Sequence, residues 1–412
     1  MPRSHHPRRP HHDRTALVLA GGAARGAYEV GVVQHVVEEV ARDLGRPIRF
    51  DVLCGTSVGA LNACGLAAFA DRGPASIHEC IGVWTKLQIA ELVRPDVRGV
   101  MELGARFLGR EDRPRNGVPA REGGLIAPEG LERLIERRIP FHRIDANIQA
   151  GHLDALTVST THVATGSTVV YVHRRERGPL EWSRDPTVSA RAAQITARHA
   201  LASAAIPILF RAVAIDGEYH CDGGLRQNVP LSPARRLGAR RVLVVNPRYI
   251  GATPLDDAAA ETRIPGPLFL LGKTLNALLL DRIETDLARL ETINRILEAG
   301  TRVHGPGFVD KLNRELGHAP GKGLRRMRAL LIRASADIGH LAAEFVRSPA
   351  FSGVSGVAGR LMRRLAEPDS RNESDLLSYL LFDGGFCGQL IELGRADARA
   401  RHEELCTFFA DF

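Results

Sequence analysis

Residues 51–63 read DVLCGTSVGALNA and place Ser57 in a Gly-x-Ser-x-Gly frame, Gly55-Thr56-Ser57-Val58-Gly59, directly behind a short apolar run. A strand, a tight turn of small residues and a following helix is the setting that lifts a serine hydroxyl above a sheet edge as a nucleophile. A serine at its ordinary acidity needs a base, and none is adjacent. The chain has sixteen histidines. Those downstream that a Ser-Asp-His order would use, His304, His318, His340 and His402, lie in VHGPG, LGHAP, DIGHLA and RHEEL, segments without a supporting pattern. RHEEL also lacks the second histidine of a zinc-protease helix.

Carboxylates offer a different base. Asp222 heads DGGLRQNVP and Asp383 heads DGGFCGQL, each followed by two glycines. Asp-Gly is an ordinary turn, so context separates them. Asp222 follows an expected strand and leads through a polar loop with Asn228 and Pro230 toward a further strand, whereas Asp383 opens an expected helix in the last third of the chain. A third motif, LVLAGGAARGAYE, sets Gly21, Gly22 and Gly26 between strand and helix. It lacks the Lys-Ser/Thr of a phosphate loop and the G-x-G-x-x-G order of a dinucleotide loop. What remains is a nest of backbone N–H groups at a helix start, suited to a developing oxyanion.

The elements that must carry these motifs are those of an α/β sheet. TALVLA, ending at Gly21-Gly22, reads as a buried strand, and AYEVGVVQHVVEEVARDLG has valines at helical spacing up to Gly45. IRFDVLC, GTSVG and VGALNACGLAAFA repeat the strand-turn-helix unit, which indicates a mostly parallel three-layer sheet. Further strands are expected at ALTVSTTHVA and STVVYVH, joined at Thr165-Gly166, and at residues 241–247. SARAAQITARHALASAA predicts one long helix ending before Pro207. Beyond about residue 250 Leu271, Leu275, Leu279, Ile283, Leu287 and Leu290 form one helical stripe, and the carboxy-terminal third reads as mainly helical.

Gly-Gly-x-x-Arg-Gly, Gly-Thr-Ser-x-Gly and Asp-Gly-Gly with a following Asn-x-Pro, in that order, resemble the patatin-like phospholipases, as do THVATGSTVVYV and ALASAAIPILFRAVAIDGEYHCDGG. The resemblance covers roughly residues 15–250 and implies a three-layer α/β/α fold that acts through a Ser-Asp dyad. It implies Ser57 as nucleophile, Asp222 as base with Gly223 and Gly224 completing its motif, and Gly21, Gly22, Ala23, Ala24, Arg25 and Gly26 as the oxyanion loop. Members of the family often have a third consecutive glycine where this chain has Ala23, and alanine serves there while its φ stays negative. Arg25 is expected to hold the loop by side-chain hydrogen bonds in preference to meeting a phosphate.

The expected activity is therefore hydrolysis of lipid acyl esters, of the phospholipase A or lysophospholipase type, with no metal and no organic cofactor. An acyltransferase using the same acyl-enzyme, an esterase depending on His220 or on a late histidine, and a silent membrane-binding scaffold are the alternatives. The expected divisions are a basic, His-rich tail over 1–13, a catalytic domain over 14–250 and a helical region over 251–412. Six cysteines without C-x-x-C spacing argue against a zinc site or a disulfide framework. No apolar run reaches the length of a spanning helix and no secretory core follows the amino terminus, so the expected location is cytoplasmic, with peripheral contact to a bilayer. The net charge of +8 favours anionic surfaces. Few aromatics and no recognisable module argue against nucleic acid.

Overall fold

The computed structural model describes residues 14–89, 129–176, 180, 182, 185–250, 283–318, 323–351, 356–366 and 374–410. The expected tail over 1–13 and the leucines at 271, 275 and 279 lie outside the described residues. Within them nine strands form one sheet: β1 Thr15–Leu19, β2 Val52–Thr56, β3 Ala155–His162, β4 Thr168–Arg174, β5 Val188–Ala192, β6 Val213–Ile215, β7 Glu218–Asp222, β8 Arg241–Asn246 and β9 Arg328–Arg333. The main order is β5-β4-β3-β2-β1-β8-β9, with β7 on β3 and β6 on β7. The central run β3-β2-β1-β8-β9 is parallel, and β4 and β7 meet β3 antiparallel.

Both faces of the sheet are buried because alternate residues point to opposite sides. Leu17, Leu19, Leu53, Leu156, Leu243 and Val245 pack into one core, and Ala16, Val18, Val52, Cys54, Val242 and Val244 into the other. Such near-continuous apolar strands are what a parallel sheet covered on both sides requires. The second core also receives Ile283 and Leu290, with Leu287 packed against it, so the described half of the leucine stripe faces the protein interior.

The helices that bear on the site are numbered here α1 Gly26–His35, α2 Val58–Ala68, α3 Ser76–Trp84, α4 Ala197–Ser203, α5 Leu231–Arg236, α6 Ser374–Leu380 and α7 Gly384–Ala400. One expectation is corrected. The single helix over 189–205 is instead β5 followed by α4. β5 pairs parallel with β4 from Thr168↔Val188 to Val172↔Ala192, and a reciprocal cap between Thr196 and His199 starts the helix only at Ala197. Sheet pairing thus overrides the alanine-rich helical composition of the segment. The last third is largely helical, as expected, and also contributes β9 to the sheet edge.

That last third is tightly joined to the first helix. A Cβ on Gly31 would lie 1.9 Å from Ile391 O, and one on Gly394 2.1 Å from Tyr28 O. α1 and α7 therefore approach closer than side chains permit, and Tyr28 Oη donates to Asp397 Oδ2 at 2.9 Å across the same contact.

Candidate active site

Ser57 stands between β2 and α2 with φ 55° and ψ −129°, a conformation that a residue with a side chain adopts only when its surroundings enforce it. Close packing enforces it here. A Cβ on Gly55 would sit 2.3 Å from Gly59 O, and one on Gly59 2.4 Å from Leu19 O, so the turn closes only with hydrogen at both positions. Thr56 and Val58 on either side are buried. The Ser57 N–H donates to Ser203 Oγ at 2.9 Å, and that hydroxyl donates onward to Ser159 O at 2.6 Å. α4 thereby ties the elbow to β3.

β3 also explains how a carboxylate 165 residues downstream reaches this turn. Its edge pairs first with β2, ending at Thr56↔Ser159, and then with β7, starting at Thr160↔Asp222. Consecutive positions on one strand therefore seat the two motifs side by side. Ser57 Oγ donates to Asp222 Oδ2 at 2.6 Å. Gly224 N–H donates to Oδ1 at 2.7 Å, Asp222 N–H donates to Ala205 O at 2.9 Å, and Thr161 Oγ1 donates to Asp222 O at 2.9 Å. Gly223 lies against Ser159 O.

Burial dominates the electrostatics of the pair. Asp222 is fully buried and Ser57 is 2% exposed. Loss of hydration raises the Asp222 carboxyl from 3.8 to about 7, against the lowering effect of its bonds from Ser57 and Gly224. A carboxylate tuned to neutrality is suited to accept a proton from a hydroxyl at 2.6 Å.

The loop from Gly21 to Gly26 borders the same turn. A Cβ on Gly21 would fall 2.1 Å from Asn228 Oδ1 and 3.0 Å from Ser57 Cβ. Gly21 N–H donates to Asn228 O and Arg25 N–H to Gly22 O, while Gly22, Ala23 and Ala24 N–H groups have no backbone acceptor among the described residues. Ala23 does not meet the condition of a negative φ and sits at φ 48°. Strain of about 1 kcal/mol for a left-handed alanine is matched by burial of its methyl against Ile206, Leu209, Leu376 and Tyr379, which contributes about 0.8 kcal/mol.

Arg25 is buried and turned away from the turn, toward α6. Its Nε donates to Ser378 Oγ at 2.8 Å, its Nη2 to Asp375 Oδ1 at 3.0 Å, and its guanidinium lies 4.2 Å from the Tyr379 ring centroid. The far end of the loop is held by Asn62, whose Nδ2 donates to Gly26 O at 2.9 Å and Glu29 Oε2 at 2.8 Å, while Trp84 Nε1 donates to its Oδ1. Burial pushes the Glu29 carboxyl well above the usual range.

The other residues weighed as bases make different contacts. Asp383 caps α7, accepting from Gly385 and Phe386 N–H groups. His220 is buried between Thr160 Oγ1 and Tyr171 Oη, at 3.0 and 3.1 Å, and His402 contacts His35 and Asp43. Among the described residues no three His, Cys, Asp or Glu side chains converge to hold a metal ion. Sequence reasoning missed Ser203, Ser159 and Asn62, because lone polar residues within apolar helices and strands carry no local signature of their partners.

Among known proteins, the family model described as Patatin, patatin-like phospholipase, matches residues 17–235. The solved structure of VipD from Legionella pneumophila is similar at a TM-score of 0.34 and 14% identity, over 92% of this chain and 67% of that one. No curated protein matches the sequence.

Proposed function

The chain belongs to the patatin-like phospholipases, and from that premise we propose that it hydrolyses acyl esters of membrane lipids through a Ser57-Asp222 dyad. The observation that carries this reading is the 2.6 Å contact between Ser57 Oγ and Asp222 Oδ2 in a site where burial brings the carboxyl to about 7.

Asp222 takes the Ser57 proton as Oγ bonds to the ester carbonyl carbon. The carbonyl oxygen becomes an oxyanion facing the Gly22-Ala23-Ala24 N–H groups, with the start of α2 adding its positive end. Collapse breaks the ester C–O bond, and the proton on Asp222 passes to the leaving alcohol oxygen. Water then gives its proton to Asp222, attacks the acyl-enzyme and releases the fatty acid, restoring Ser57. Ser203 holds the elbow and Arg25 holds the loop, each through contacts away from the reacting atoms. Residues 14–250 are taken as the catalytic unit, supported by 251–412.

No single described helix is long and apolar enough to cross a membrane. Substrate is proposed to be drawn from a bilayer by peripheral contact, which the net charge of +8 favours at anionic surfaces. The test is a lipid panel of diacyl phospholipids, lysophospholipids and acylglycerols, with added alcohol acceptors and product analysis. Release of free fatty acid supports hydrolysis, transfer to the acceptor as the sole product would replace it by acyltransfer, and no turnover on any acyl ester by folded protein would defeat the proposal.

A further inference from the structure

The Ser57 site lies where the strands end, and a group of a different character lies where they begin. Arg14 immediately precedes β1 and Arg240 immediately precedes β8, while Arg325 stands three residues before β9. Their backbones are in line: Arg240 N–H donates to Arg14 O at 2.9 Å, and Arg328 N–H donates to Arg240 O at 2.8 Å. Two of the side chains then turn onto one corner after α5. Arg14 Nη1 donates to Leu237 O at 2.9 Å and Arg325 Nη1 to Gly238 O at 3.4 Å. Both guanidinium groups lie within 3.6 Å of the position a Gly238 Cβ would take. Arg235, one turn earlier on α5, completes the group.

Such crowding of like charge is unfavourable unless something offsets it. The carboxylates at this end are committed: Asp154 accepts from Arg14 Nε at 2.8 Å, and Asp51 accepts from Thr15 N–H at 2.8 Å. Among the described residues Arg235 and Arg240 have no hydrogen bond or ion pair from their side chains, and Arg325 has only its bond to Gly238 O. Arg325 accordingly has its pKa lowered, by burial first and then by Arg240, Arg235 and Arg14. Burial likewise lowers Arg235.

We propose that Arg14, Arg235, Arg240 and Arg325 form a binding site for a compact polyphosphorylated anion, at the opposite end of the sheet from Ser57. Neighbouring strands are about 4.8 Å apart, so β1, β8 and β9 spread their leading arginines over about 10 Å, the width of two or more linked phosphates and more than one phosphate uses. Guanidinium forks match phosphate oxygens in pairs, and those of Arg235 and Arg240 are uncommitted. The group lies behind the catalytic edge by the length of the strands, about 17 Å for five residues, so this end does not present Ser57 to a bilayer docked on it.

Calorimetric titration of the full chain with sodium tripolyphosphate, with orthophosphate as comparison, tests the site. Tripolyphosphate is expected to bind at least about tenfold more tightly than orthophosphate, and R240E to weaken it at least about tenfold, the scale of one lost charge-assisted hydrogen bond. Arg240 is exposed and its side chain is unpartnered, so R240E leaves the fold and ester hydrolysis unchanged. The pair R235A/R325A is expected to act similarly, and R302A/R314A, which removes two exposed arginines elsewhere, to weaken binding less than about twofold. No binding of tripolyphosphate by wild type, or equal weakening by the two double variants, overturns the site. Vesicles containing a polyphosphorylated phosphoinositide distinguish the sources: retention displaced by tripolyphosphate and lost in R240E identifies a lipid headgroup, and no retention beside intact tripolyphosphate binding identifies a free anion.

Discussion

Arg25 Nε donates to Ser378 Oγ across 353 residues of sequence, so a residue of the proposed oxyanion loop is anchored on a helix of the carboxy-terminal third. The same guanidinium meets Asp375 and covers Tyr379, and it is only 7% exposed. The loop's shape therefore depends on α6 being docked.

Replacing Arg25 by alanine removes its bonds to Asp375 and Ser378 and its stacking on Tyr379, at a cost of roughly 2–4 kcal/mol. R25K is expected to recover little, since an ammonium cannot reproduce the fork and the stacking. Thermal unfolding and turnover measured together check this: both should fall in R25A and stay low in R25K, and wild-type values in R25K would refute the anchoring role.

Ser203 is the second support. S203A leaves the buried Ser57 N–H without its acceptor, a cost of about 1–3 kcal/mol that falls on the strained elbow. We expect turnover to drop roughly tenfold to a hundredfold while KM changes little. Unchanged turnover would mean that packing alone holds φ at Ser57.

Titration of Asp222 sets the pH dependence. With its carboxyl at about 7, the base form grows as pH rises through neutrality, so kcat/KM should climb along an acid limb centred near 7. A limb near 4 would show that the carboxyl is hydrated in solution.

The same shift has a signed effect on stability. A raised carboxyl favours the folded state in its protonated form: that contribution is complete below 3.8, is lost as pH rises toward about 7, and is absent above. D222N, which never ionises, should thus be more stable than wild type by a few kcal/mol at pH 8, with the advantage vanishing near pH 4. Denaturant unfolding at both pH values decides it; equal stabilities at pH 8 would contradict the buried charge.

The parts of this site that were legible in sequence are those fixed by local sterics. Gly55 and Gly59 announce the elbow because only glycine permits the approach of Gly59 O and Leu19 O. The order of the three motifs pointed to Asp222, but what seats it beside Ser57 is the register of β3, where Thr56 and Asp222 face successive residues. A register between distant strands leaves no local trace. For the same reason β5 was hidden in an alanine-rich segment and β9 in an arginine-rich one, since each is a strand through the neighbour it pairs with. The positive φ of Ala23 has no local trace either, because Ala23 packs against Ile206, Leu209, Leu376 and Tyr379, residues from two other parts of the chain.

The most direct measurement of the central claim is labelling by a fluorophosphonate probe, with the modified residue located by mass spectrometry, in wild type, S57A, D222N and H220A. The account predicts modification of wild type at Ser57, none in S57A, labelling slowed at least about a hundredfold in D222N, and labelling in H220A close to wild type. Full labelling of folded D222N, or its loss in folded H220A, would contradict a Ser57-Asp222 dyad.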